Sequence, residues 1–126
     1  MNVVVQAGLI ELAVGALSGW VVMLKVAYPE VLRRAGITSP GRLLQAHIDL
    51  IVMGVILIAV GAVLPDLATW NRVVLIAGAV VNPLLFLPMA WRESASGTLG
   101  YRVVTVLSFS AMSAGTVGAA VAGLQA

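Results

Sequence analysis

Hydrophobic residues dominate the chain in four long blocks, and the polar residues collect between them. The first apolar block runs from about Val3 to Tyr28 and the second from about Pro40 to Leu64, where Leu64-Pro65-Asp66 stops it. The third runs from about Thr69 to Trp91 and the fourth from about Leu99 to Leu124. Each is near or above the roughly 20 residues that a helix needs to cross hydrocarbon. Strands of this length do not fit a barrel, and a lone strand in lipid leaves its backbone unsatisfied. The pattern therefore predicts an all-α fold, a four-transmembrane-helix bundle, with residues 1–126 as a single domain. Ser39-Pro40 suits the start of the second helix, serine as cap and proline in the first turn. Ser94-Ala95-Ser96-Gly97 reads as the break between the third and fourth.

Composition agrees with that pattern. Hydrophobic residues make up 61% of the chain and charged residues 10%, against roughly a quarter charged in an ordinary soluble domain. The surface cannot be covered by polar groups, so the lipid bilayer is the expected partner. The net charge of +2 comes from residues at helix ends. No basic stripe exists, which argues against nucleic acid. With no cysteine, disulfides, thiolate catalysis and iron–sulfur ligation are excluded. The start Met1-Asn2-Val3-Val4 lacks a basic region, so the first block is expected to be a span and not a cleaved signal peptide.

Charge placement predicts topology. Lys25, Arg33, Arg34 and Arg42 flank the first loop and Arg92 and Arg102 the third, leaving only Arg72 by the second, beside Asp66. The positive-inside rule puts loops one and three in the cytoplasm and both termini in the periplasm of an inner-membrane protein. Trp70, Trp91, Tyr28 and Tyr101 fall near predicted interfaces. Small residues (Gly8, Gly15, Ser18 and Gly19 in the first helix, Gly54 and Gly61 in the second, Ala111, Gly115, Gly118, Ala119 and Ala122 in the fourth) mark faces for close helix packing, within the chain or against another copy. No internal repeat is evident.

Polar residues at membrane depth are the candidates for chemistry, because each is costly there. His47, the only histidine, is either a hydrogen-bonded packing residue or a metal or haem ligand. One histidine cannot make a zinc site, whereas a five-coordinate haem needs only one. Gly54 and Gly61 share its face and leave room for either a flat macrocycle or a neighbouring helix. Asp49, two residues on, points about 200° away, so a His–Asp dyad within the helix is not expected. Glu11 lies on the Gly8–Gly15–Ser18 face, as a carboxyl locking helices together or as a proton carrier. Asn82 precedes Pro83, with Pro88 beyond. Proline bends a helix and frees carbonyls, and an asparagine there can satisfy one or face a pocket.

The stretch Leu43-Leu44-Gln45-Ala46-His47-Ile48-Asp49-Leu50-Ile51-Val52-Met53-Gly54, with its apolar run to Leu64-Pro65, resembles the second helix of the styrene oxide isomerase and hydroxylaminobenzene mutase family of small four-helix membrane proteins. The histidine, the glycine seven residues after it, the mutase-like Asp49 and a third-helix asparagine at Asn82 carry the resemblance. It implies haem b bound between subunits of a homotrimer, His47 as axial iron ligand with Gly54 beside the cofactor, and a Lewis-acid rearrangement of an aromatic epoxide or arylhydroxylamine. Asn82 would then stand near the substrate oxygen, with Met53 and Phe86 at neighbouring positions of the site. Two positions depart from the family: Met53 stands where an asparagine is expected, and Phe86 where the isomerase has tyrosine. Isomerase or mutase activity on a small apolar aromatic substrate is thus the expectation. The alternative is a non-catalytic small subunit packed in a larger membrane complex. A transporter or proton carrier is disfavoured by the lack of carboxylate relays and inverted repeats.

Overall fold

A computed structural model describes residues 2–126. The chain is all α. In order it forms α1 (Val3–Ala27), a short α2 (Pro29–Arg34), α3 (Gly41–Val63), α4 (Thr69–Leu84), α5 (Phe86–Trp91), a 3₁₀ turn (Glu93–Gly97) and α6 (Leu99–Gln125). Four segments are long and apolar enough to cross a membrane: α1, α3, α4 with α5 (Thr69–Trp91), and α6. The chain buries only 17% of the most apolar window of α1 and of α6, so lipid must cover the rest. This is a multi-pass membrane protein.

α1 packs on α3, α3 on α4 and α5, and α4 on α6. Backbones touch at both outer contacts. A Cβ on Gly8 would lie 2.8 Å from Gly54 O and from Ile58 N, and one on Gly54 would lie 2.8 Å from Leu12 N. The α4–α6 contact uses the same device, with Gly78 against Met112 N (2.7 Å) and Gly115 against Leu75 Cα (2.8 Å). In lipid such close approach, with its dispersion and weak polar contacts, replaces the hydrophobic drive that holds soluble helices together. The small-residue face of α6 thus packs inside the chain. Between the pairs lies a core of Val4, Leu57, Leu75 and Ala79.

The third span is broken where its prolines predict. Pro83 and Pro88 remove the N–H groups that would serve Ala79 O and Leu84 O, and the regular helix ends at Leu84 and resumes at Phe86. Leu85 N is shared between Val81 O and Asn82 O at 3.1 and 3.2 Å.

Asn2 Oδ1 caps α1 through Val5 N (3.0 Å), and its Nδ2 donates to Gly61 O (2.8 Å), tying the start of α1 to the end of α3. Thr98 caps α6. Ser39 does not cap α3: the residue before Gly41 is Pro40, and no side chain caps that end. Ser39 N instead donates, with Thr38 N, to Ala90 O at 2.9 Å. Trp91 Nε1 donates to Ala35 O (3.1 Å), and Arg42 pairs with Glu93. Loops one and three therefore meet at the same end of the bundle. The first loop contains a helix that the apolar pattern does not predict: α2 starts on Pro29 and carries Glu30 in its first turn and Arg33 and Arg34 in its last, as the helix dipole favours. Beneath it, Leu32, Ile37, Leu43 and Ala90 form a second apolar cluster. Gly36 makes the turn after α2 at φ 84°, a conformation that favours glycine.

Two outcomes follow. Gly8→Leu must push α1 off α3 and should destabilise the protein by about 1–3 kcal/mol, whereas Gly100→Ala, with nothing within 4 Å of its added carbon, should be neutral; thermal unfolding in detergent compares them. Arg42, and after it Ser39, hold the exposed Glu93 carboxyl below its ordinary value of 4.5. A depressed carboxyl contributes stability above its unfolded pKa and loses it as pH falls through the folded one. Melting curves should show a small acid-side loss in wild type, screened by salt, that Glu93→Gln lacks.

Candidate functional site

α3 presents its polar side chains to two different neighbours. His47 and Asp49 are two residues apart, and a helix turns about 100° per residue, so they leave α3 on nearly opposite sides.

His47 faces α1. Its Nδ1 lies 2.7 Å from Gly15 O and 2.9 Å from Ser18 Oγ, and the Ser18 hydroxyl itself donates to Gly15 O at 2.6 Å. A carbonyl can only accept, so the imidazole proton belongs on Nδ1. That leaves the Nε2 lone pair, which has no hydrogen-bond partner among the described residues. The ring is half-buried and packs beside Gly19, where an added Cβ would meet Cε1 at 3.2 Å. A ring fixed through Nδ1–H to a carbonyl, with a free Nε2, is the arrangement that metal-ligating histidines use. Among the described residues no three His, Asp or Glu side chains gather to hold a bare ion; a porphyrin-held iron asks the protein for one axial nitrogen, and His47 can supply it.

Gly54 corrects one expectation. The absent side chain leaves no space for a macrocycle, because the backbone of α1 at Gly8 and Leu12 fills it. Gly54 and Gly61 serve the packing of α3 on α1.

Asp49 faces the other way, into a cavity of about 320 Å³ between α3, the α4–α5 break and α6, lined by Asp49, Met53, Asn82, Leu85, Phe86, Tyr101, Thr105 and Phe109. Asn82, Phe86 and Met53, singled out separately in the sequence, line this one cavity together. Asn82 is buried. Its Oδ1 accepts from Ser108 Oγ, and its amide nitrogen has no acceptor among the described residues. The Tyr101 hydroxyl donates to Leu85 O at 2.6 Å, tying α6 to the break in the third span. The cavity thus offers three aromatic rings, a thioether, an amide donor and one carboxyl. It suits a small aromatic molecule carrying an oxygen or nitrogen.

His47 does not line this cavity. Within one chain, the free imidazole nitrogen of His47 and the free amide of Asn82 face different neighbours.

Tyr101, Thr105, Ser108 and Phe109 were not evident as site residues from sequence; Tyr101 reads there as an interface aromatic. Their three- and four-residue spacing on one face of α6 is a signal for them, although Val104 and Ala111 obscure it. Asn71 was also missed. It is buried in the first turn of α4. With Nδ2 toward Gly115 O (2.8 Å) and Oδ1 toward Ala119 N (3.0 Å), its amide grips the backbone of α6 and fixes that helix against α4.

Glu11 is buried under α3 and α4, but neither carboxyl oxygen has a hydrogen-bond partner among the described residues. A carboxyl that locked helices together by hydrogen bonds would show one.

Comparison with protein-family models, with curated proteins and with solved structures finds no match.

Ser108→Ala should leave Asn82 Oδ1 buried without its donor and cost about 1–3 kcal/mol, read as a lower melting temperature in detergent. Ser110→Ala, at an exposed position of the same helix, should change little.

Proposed function

We propose that this chain is an inner-membrane protein, with both termini periplasmic, that binds haem b through His47 Nε2 and rearranges a small apolar aromatic epoxide or arylhydroxylamine without net redox change. The single observation behind this reading is the His47 ring, whose proton is held on Nδ1 by Gly15 O at 2.7 Å and whose other nitrogen is left free. The resemblance of the His47–Gly54 stretch to the isomerase and mutase family supplies the reaction class.

When bound, haem iron would supply a Lewis acid that polarises an oxygen. The chain's own contribution lies in the cavity. Phe86, Tyr101 and Phe109 stack against an aromatic ring. Asn82, its carbonyl side occupied by Ser108, donates its amide N–H to the substrate oxygen. Met53 and Leu85 keep water away, so positive charge developing on the substrate is not intercepted. The substrate, apolar itself, enters from lipid. Because His47 and the cavity belong to opposite faces of α3, the proposal needs more than one copy, His47 of one chain approaching the cavity of the next. The trimer of the resembled family meets that requirement.

A second reading has its own support. Packed beside Gly19 and bonded to α1, His47 also serves as helix glue, and the exposed apolar faces of α1 and α6 suit a non-catalytic subunit in a larger membrane complex.

Absorption of the protein purified in detergent, after expression with ample haem, separates the two. The proposal expects a Soret band in wild type and its loss in His47→Ala with helical content unchanged; a colourless wild type overturns it. Asn82→Ala should keep the band and slow turnover of styrene oxide or phenylhydroxylamine by about tenfold, the equivalent of roughly 1.4 kcal/mol for one hydrogen bond. Undiminished turnover removes Asn82 from the site.

A further inference from the structure

A second site lies on the opposite side of the α3–α4 contact. Asp49 and Leu85 border the aromatic cavity, whereas the adjacent residues Leu50 and Leu84 border a groove of about 310 Å³ closed by Ala7, Ile10, Glu11 and Val14 of α1 and by Val80 of α4. Apart from Glu11 every wall residue is aliphatic. Ile10 and Val14 are half exposed or more, and Val80 and Leu84 are also exposed, so in a membrane the groove opens to the acyl chains. Glu11 borders the groove and is 5% exposed, and both its oxygens are buried behind the wall without a partner among the described residues. The carboxyl lies about 12 Å along α1 from Val3, at 1.5 Å per residue, well inside the hydrocarbon.

A carboxyl so placed costs free energy until something meets it. Among the described residues no base does. Lys25 stands far along α1, and Arg72 sits at the opening of α4. From α3 the titratable group within electrostatic reach is Asp49, another carboxyl. The other base at membrane depth, His47, has Nδ1 engaged by Gly15. In a parallel second copy the free His47 Nε2 stands at the level of Gly19, about 12 Å along the bundle from Glu11 at 1.5 Å per residue, and lipid amines stay at the headgroups. What fits is a compact aliphatic molecule carrying one amine and soluble in the bilayer.

We propose that the α1–α4 groove binds small lipophilic amines taken from the membrane, with Glu11 as the acid that holds them. In hydrocarbon both partners arrive uncharged. The carboxyl turns about its own side-chain bonds into the groove and passes its proton to the amine nitrogen. The carboxylate and ammonium form together in contact, and no net charge crosses the membrane. Such charge-assisted hydrogen bonds are roughly twice as strong as neutral ones, which favours an amine over an alcohol of the same shape. The site does not depend on the haem reading.

The test uses the full-length protein in lipid nanodiscs and radiolabelled 1-adamantylamine, an aliphatic cage with one amine, against its isostere 1-adamantanol; empty nanodiscs give the lipid background. Expected are saturable binding of about one amine per chain, at least tenfold weaker binding of the alcohol, and at least tenfold weaker amine binding in Glu11→Gln. Val80→Phe, which fills the groove from its lipid-facing rim and leaves Glu11 in place, should lower amine binding to a similar degree, so the outcome does not rest on one variant folding. Amine uptake no greater than into empty nanodiscs overturns the proposal. Equal binding of amine and alcohol, or undiminished amine binding in a folded Glu11→Gln protein, also overturns it.

Discussion

The contact between α1 and α3 is the constraint on which the rest of the structure depends. Lipid is as apolar as the helix surfaces, so nothing comparable to hydrophobic burial drives these helices together. Gly8 and Gly54 let the two backbones meet within a distance that any added carbon would violate. Two consequences follow from that distance. The carbonyl of Gly15 comes within 2.7 Å of the His47 ring, which sets the tautomer. Glu11, on the same face of α1, is pressed against α3 and α4 where its carboxyl finds no partner among the described residues. A wider separation would lose both.

α3 then divides the molecule. One side carries His47 toward α1, and the other carries Asp49 and Met53 into the aromatic cavity. The third span completes that cavity through its break. Pro83 and Pro88 interrupt the helix, Asn82 turns its amide toward Ser108 of α6, and Tyr101 donates to the carbonyl of Leu85 beside the break. Met53 and Phe86 bring no hydroxyl or amide to this cavity, and a hydroxyl is supplied by Tyr101 from α6. The division also explains why the proposed chemistry calls for association: the two halves of the site are on separate faces of one helix.

Much of this is legible in the sequence. The four spans follow from block length and the lack of charge, and the bend in the third from its prolines. The opposed directions of His47 and Asp49 follow from helical geometry alone. The close packing of Gly8, Gly15 and Gly54 follows from residue size, but size does not say what fills the space, and beside Gly54 it is the backbone of α1 and not a macrocycle. Tyr101, Ser108 and Asn71 were hidden for a related reason. Their roles depend on which helix lies opposite, and an apolar chain with weak amphipathic contrast does not encode that choice in its periodicity. Loop one was illegible because α2 is too short to leave a hydropathy signal, while its anchoring on Ala90 and Trp91 is a matter of backbone hydrogen bonds.

The most direct test of the central claim is an experimental density map of the purified protein in lipid at a resolution that separates side chains. The account predicts His47 with Nδ1 on Gly15 O and Nε2 on the iron of a haem at a boundary between chains, facing the cavity of Asn82 and Phe86 of a neighbour. A His47 ring enclosed between α1 and α3, with Nε2 bonded to protein and no macrocycle beside it, would contradict that account and leave the subunit reading.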